Sequence, residues 1–268
     1  NNQFGSGDNN FMYAEGSKWY NRLTQPYVRK FAFYDGIIFI FDNIENNHLI
    51  SGSHYFDFTF PTLSDVNIIS SNRAKINGEG AIMDIFVGNS SDVPEGFTLV
   101  ENERPLYFYK TQCEYNSSIK VNSTLLLFGA RKDISQPKWK QITAINIQKN
   151  NDEAEFFYGS ENNVWWIEIN KLEDNYIGAW TNNGLSITDF NEFKTDSNFL
   201  LTKNIGSEEE IIIVKNATYI NESDVLIFNS NNPTNAIINR TGSYYTIFFQ
   251  TNYQNTQVTI DGSILDNN

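Results

Sequence analysis

The sequence predicts an all-β fold, a large antiparallel β-sandwich of supersandwich type with two or more stacked sheets. Three observations predict it. An Asp35-Gly36 pair separates two apolar, β-branched and aromatic runs, Tyr27 to Tyr34 and Ile37 to Asp42; such a pair supplies the positive φ angles of a two-residue hairpin turn. Strand-length runs then recur along the chain at a spacing of roughly 8–12 residues, with Asn, Gly, Pro and Asp clusters between them. Finally, 21 Phe and 14 Tyr stand against a charged content of 19%, a composition that suits pleated surfaces better than helices.

In chain order, residues 1–10 are rich in Asn and Gly and read as a loose arm. Ser17 to Leu23 reads as a helical turn ahead of Pro26. The Asp-Gly hairpin follows, then a polar loop from Asn43 to Asn47. Phe56, Phe58 and Phe60 next alternate with Asp57 and Thr59, a strand with one apolar face. Further strands are expected at Asn67 to Ser70, Ile82 to Val87, Thr98 to Val100, Leu106 to Tyr109, Ser118 to Phe128 and Lys140 to Gln148. The series continues at Glu155 to Tyr158, Val164 to Ile169, Tyr176 to Trp180, Ser197 to Thr202, Glu210 to Lys215, Asp224 to Phe228, Ala236 to Asn239, Tyr244 to Gln250 and Gln257 to Ile260. No fixed repeat period emerges, which disfavours a propeller or solenoid. The expectation is one layered domain over residues 1–268, with a soft subdivision near residues 131–137.

A net charge of −13 and a pI near 4.6 exclude nucleic acid as a partner, since its phosphates would be repelled. No apolar run reaches the ~18 residues of a membrane helix, so a membrane-spanning chain is not expected. The lone Cys113 allows no intrachain disulfide. Six N-x-S/T sequons are no more than the Asn, Ser and Thr content yields by chance. The chain begins Asn1-Asn2 without Met, which reads as a processed protein or an excised portion.

Nucleophile, P-loop and dinucleotide motifs are absent from the sequence. His48 and His54 match no zinc-ligand spacing, so neither a metal nor a cofactor is assigned. Calcium stays open, because Asp189 to Glu192 and Glu208 to Glu210 offer oxygens, although without EF-hand spacing. A Glu run ahead of an apolar strand reads more simply as a gatekeeper or solvated edge. A carboxylate pair for glycoside hydrolysis is close in space and not in sequence, so the sequence nominates none.

The segment Phe11-Met12-Tyr13-Ala14-Glu15-Gly16-Ser17-Lys18-Trp19-Tyr20-Asn21 resembles a pattern of heparinase II/III-like polysaccharide lyases, in which a small loop ends in an aromatic pair. Tyr27-Val28-Arg29, Phe33 and Gly36 to Asp42 continue the likeness, and so do His54-Tyr55-Phe56-Asp57-Phe58. The resemblance covers about fifty residues. It implies the β-sandwich that trails a catalytic helical toroid in that family, without the toroid itself. The family's catalytic Tyr and His lie mainly in that upstream part, so no catalytic residue is carried over. Tyr20, Arg29, Asp42 and His54 are then expected to serve folding. Arg29 reads first as the partner of a carboxylate or a loop cap, and second as a cleft residue.

Aromatic faces stack on sugar rings. Trp165 shares a strand face with Ile167 and Ile169, whereas Trp166 shares the other with Val164 and Glu168. Trp166, Trp180, Trp139 and Trp19, with Tyr20 and Arg29 from the motif, are the candidate carbohydrate-binding residues. The favoured function is a non-catalytic sandwich portion of a secreted or cell-surface polysaccharide lyase or polysaccharide-binding protein. Its partner would be a polysaccharide or oligosaccharide, uronic-acid glycans included, and a helical domain would precede it. A structural or adhesive module of a surface layer or filament is the alternative. A glycoside hydrolase with an unidentified carboxylate pair is the third.

Overall fold

A computed structural model describes residues 2–6, 11–18, 27–45, 54–61, 65–70, 73–78, 80–89, 98–109, 118–132, 138–148, 154–161, 164–171, 175–182, 187–190, 192–205, 209–250, 257–260 and 263–266. These residues are all β, paired antiparallel throughout, with no helix among them, the β-sandwich class that the sequence predicts. The chain divides into two compact units, Asn1–Asn151 and Asp152–Asn268. Residues 133–137, within the expected soft subdivision, lie outside the described residues.

The first unit contains β1 (Asn2–Ser6), β2 (Phe11–Lys18), β3 (Tyr27–Tyr34), β4 (Ile37–Glu45), β5 (His54–Pro61), β6 (Asp65–Ser70), β7 (Arg73–Gly78), β8 (Ala81–Asn89), β9 (Thr98–Tyr109), β10 (Ser118–Lys132) and β11 (Lys138–Gln148). Eight of them form one sheet in the order β1-β2-β3-β4-β11-β8-β7-β6, and three form another, β5-β10-β9. The hairpin between β3 and β4 turns at Asp35 (φ 48°) and Gly36 (φ 77°), the two left-handed residues that its sequence announced. A Cβ on Gly36 would come within 3.1 Å of the Ile147 carbonyl oxygen, so glycine also allows β11 its close approach. Ala32, Ile37, Phe39, Phe41, Ala74, Ile85, Ile142 and Ala144 are buried. Lys30 is buried with them, and burial pulls its pKa down to about 8 against the attraction of Glu15.

Local expectations for this unit are corrected: Asn43 to Glu45, expected in a polar loop, extend β4 by pairing with Lys138 to Lys140 of β11, and the runs Thr98 to Val100 and Leu106 to Tyr109, expected apart, belong to one strand. Asn2–Ser6 is a strand rather than part of a loose arm, because its backbone pairs with Phe11 to Glu15 of β2. Ser17 and Lys18 belong to β2 rather than to a helical turn, since pairing with Val28 and Tyr27 of β3 holds them extended. The rest of that expected turn, including Trp19 and Tyr20, lies outside the described residues.

The second unit contains β12 (Ala154–Glu161), β13 (Val164–Lys171), β14 (Asn175–Asn182), β15 (Thr188–Phe190), β16 (Phe193–Thr195), β17 (Phe199–Ile205), β18 (Glu209–Glu222), β19 (Val225–Thr241), β20 (Tyr244–Gln250), β21 (Gln257–Ile260) and β22 (Ser263–Asp266). They form one sheet in the order β12-β13-β14-β17-β18-β19-β21-β22, with β20 also on β19 and the β15–β16 hairpin on β18. Asp224 to Phe228 and Ala236 to Asn239 are expected as separate strands; Asp224 lies in the turn ahead of β19, and Val225 to Phe228 and Ala236 to Asn239 are parts of that one 17-residue strand. The Asn-rich stretch between them stays extended because β21 pairs with Asn229 and Ser230, and Asn231 Oδ1 accepts the Gln257 N–H at 2.9 Å.

β18 and β19 bend, and the core of this unit lies inside the bend. Ile212 and Val214 from one half of β18 join Ala217 and Ile220 from the other half in one buried cluster. Ile227 and Phe228 join Ala236 and Ile238 of β19 in the same cluster. The bend in β18 coincides with register shifts between Val214 and Tyr219, a β-bulge with Asn216 at φ 53°. Asp196 holds it: its Oδ1 accepts the backbone N–H groups of Thr218 (2.8 Å) and Tyr219 (3.0 Å). Asn235 Oδ1 accepts the Asn216 N–H at 3.1 Å.

Candidate functional site

At one margin of this core the inward-facing positions change from apolar to charged. Strand alternation puts Glu210 on the face of Ile212 and Val214, and Arg240 on the face of Ile238 and Ala236. The register places Glu210 opposite Arg240 and Arg240 opposite Tyr245 of β20, so three strands contribute one row. Beyond the bulge, Glu222 shares the face of Ile220 and enters from the far end of β18. Glu192 completes the group from the turn between β15 and β16. Its backbone carbonyl accepts the Ser223 N–H at 3.1 Å, tying that turn to the end of β18.

The geometry is tight. Arg240 Nη2 lies 2.7 Å from Glu210 Oε2, and Nη1 lies 3.4 Å from Glu222 Oε1. Tyr245 Oη donates to Glu222 Oε2 at 3.0 Å. One carboxylate oxygen from each of Glu192, Glu210 and Glu222 lies within 4.8 Å of the others. The Glu210 and Glu222 side chains are 1% and 6% exposed, so water compensates little of their charge. Glu210 Oε1 and Arg240 Nε are buried with no hydrogen-bond partner among the described residues.

Burial, reinforced by the Glu222 charge, pushes the Glu210 carboxyl up to about 7 despite Arg240. Glu222 is raised by burial, with the Tyr245 hydrogen bond and Arg240 opposing. Tyr245 is pushed up to about 12 by burial and by the Glu222 charge. For Arg240, burial disfavours the cation, but Glu210 and Glu222 outweigh it and hold the guanidinium above its ordinary range.

Two carboxylates and a tyrosine could perform proton transfer, and three carboxylates could hold a cation. Glu210 and Glu222, however, are buried away from any bulky substrate. The arrangement as it stands suits a small occupant better than a glycosidic bond.

The candidate carbohydrate-binding residues are placed elsewhere. Trp166 and Trp180 face each other across β13 and β14. Trp180 is 3% exposed, and Trp166 packs against the same core cluster. The Trp166 ring lies over Gly159, where a Cβ would come within 2.5 Å of it. Trp180 therefore lies in the core and Trp166, partly buried, packs against it, because their positions on the two strands face that cluster. Arg29, in the first unit, is held bidentately by Asp42, Nε to Oδ1 at 2.6 Å and Nη2 to Oδ2 at 2.9 Å, with Asp42 1% exposed. Trp139 lies in β11 opposite Ile44, its side chain outside the described set. Trp19, Tyr20 and His48 are outside the described residues, and His54 opens β5 with its side chain undescribed.

Both acidic stretches noted in the sequence contribute to the cluster, through Glu192 and Glu210. Glu209 is exposed, as an edge gatekeeper would be, but Glu210 is buried. Sequence reasoning missed Glu222, Arg240 and Tyr245. A signal for two of them was present: a charge at the inward parity of an alternating strand, as in Arg240 two residues after Ile238. No helix among the described residues is long and apolar enough to cross a membrane. A scan against protein-family models finds no match to this chain, and a search of curated proteins finds no relative.

Proposed function

We propose that this chain is a non-catalytic β-sandwich portion of a secreted or cell-surface polysaccharide-handling protein, of the kind that follows the toroid in heparinase II/III-like lyases. It supports a glycan cleft, and if the parent protein is an enzyme, that enzyme is a carbon–oxygen lyase. One observation carries the reading. The family-like segment from Phe11 to Asp42 supplies three consecutive antiparallel strands, β2, β3 and β4, and its Arg29 and Asp42 hold each other across β3 and β4 in a bidentate pair, with Asp42 buried and Arg29 partly exposed. Motif residues committed to holding a sheet suit a scaffold role.

The test is to titrate the purified chain with defined uronic-acid oligosaccharides. Tryptophan fluorescence reports binding, and absorbance of a 4,5-unsaturated uronate reports elimination. The expected outcome is a saturable fluorescence response without product. Turnover by the chain alone rules out a non-catalytic role, and no response to any glycan removes the glycan.

One feature favours the second reading, a module that joins subunits. β20 alternates inward and outward, with Tyr245, Ile247 and Phe249 against the core and Tyr244 (81%) and Phe248 (58%) exposed. Among the described residues its pairing is to β19 alone, and an uncharged aromatic edge is a template for another strand.

A further inference from the structure

We propose that Glu192, Glu210 and Glu222 form a binding site for one hard divalent cation of the calcium class. The three residues come from two elements, Glu192 from the β15–β16 turn and Glu210 and Glu222 from opposite ends of β18. Their convergence depends on the bulge that folds β18 back on itself. The mutual separation of at most 4.8 Å fits a shared ion, since oxygens on opposite sides of calcium are at most about 5 Å apart.

A second observation, independent of the clustering, points to a ligand. Glu210 has a side chain 1% exposed, on the inward face with the cluster, and among the described residues its Oε1 accepts no hydrogen bond. A buried carboxylate oxygen in that state lacks positive charge or a donor. Arg240 does not meet the need, because it engages Oε2. When all three are ionised, the carboxylates leave two negative charges against one guanidinium, which one divalent cation balances. Oxygen donors without imidazole or thiolate select calcium over zinc. The exposed Glu192 gives the ion a way in and leaves room for water to complete the six to eight ligands usual for calcium. With three protein carboxylates, an affinity on the order of 0.1–1 mM is expected.

The experiment is isothermal titration of Ca2+ into the chelator-treated chain, with thermal unfolding followed with and without the ion. Glu192→Gln is the test variant, because this exposed residue is the member whose loss leaves the core intact. Glu209→Gln, exposed and outside the cluster, is the control. The expected result is one Ca2+ per chain, a rise in Tm, and binding at least about tenfold weaker in E192Q with E209Q unchanged. Absence of Ca2+ binding, or equal binding by wild type and E192Q, overturns the proposal. A circular-dichroism spectrum of E192Q that matches wild type ties its loss of affinity to the ligand and not to unfolding.

Discussion

Single residues here are held against their solvation preferences, and their titration should reveal it. Lys30 is buried in β3 with a folded pKa of about 8, against 10.5 for a free lysine. Below pH 8 the folded state bears the full cost of a buried ammonium. Between about 8 and 10.5 the unfolded chain binds the extra proton, so this residue's contribution to stability rises with pH. Lys30→Met should therefore stabilise the protein by about 2–3 kcal/mol at pH 7, a gap that closes toward pH 10. Urea unfolding of both proteins across that range checks it, and a gap independent of pH would refute the assignment. Gly159 offers a second test, because the Trp166 ring occupies the place of its side chain. Gly159→Val should displace the ring, shift tryptophan emission to the red and destabilise by about 1–3 kcal/mol. Unchanged emission would place Trp166 elsewhere. Neither effect was legible in the sequence, where Lys30 sits in a run with Arg29 and Gly159 looks like a turn residue. Cross-strand register decides both.

At the level of elements, the bulge in β18 determines whether a site exists. Asp196 satisfies two backbone N–H groups and the Thr218 hydroxyl there. Asp196→Ala strips all three at once and should cost about 2–4 kcal/mol in denaturant unfolding. Asn216 carries the left-handed conformation at φ 53°, so Asn216→Gly should be neutral or stabilising by up to about 1 kcal/mol. A destabilised N216G together with a tolerated D196A would mean that the bend has another cause. The sequence revealed the strands flanking the bulge, Glu210 to Lys215 and Ala236 to Asn239, through their β-branched runs. It did not reveal the bulge, because residues 216–219 carry no glycine or proline to mark it.

For the whole molecule, a charge of −13 opposes self-association, whereas the aromatic edge of β20 favours it. Screening should decide between them, since added salt shortens the reach of charge to about 8 Å at 0.15 M and about 3 Å at 1 M. If β20 joins copies, sedimentation should show the average mass rising with salt. Phe248→Lys, at an exposed outward position, should abolish that rise without changing Tm. Association that persists in F248K would assign the contact to another surface, and a salt-independent monomer would remove the assembly reading.

By itself the sequence determined the all-β class, most strand positions and the Asp35-Gly36 turn. These follow from alternation and turn chemistry within a few residues, which a linear reading captures. Tertiary structure alone decided that Trp180 lies in a core with Trp166 packed against it, that the carboxylate paired with Arg29 is that of Asp42, and that three glutamates converge. Those outcomes depend on which strands become neighbours, in which register, and where one of them bends. The residues brought together in this way are 12 to 30 positions apart, from Glu210 and Glu222 to Glu192 and Glu222, beyond the range of any local pattern.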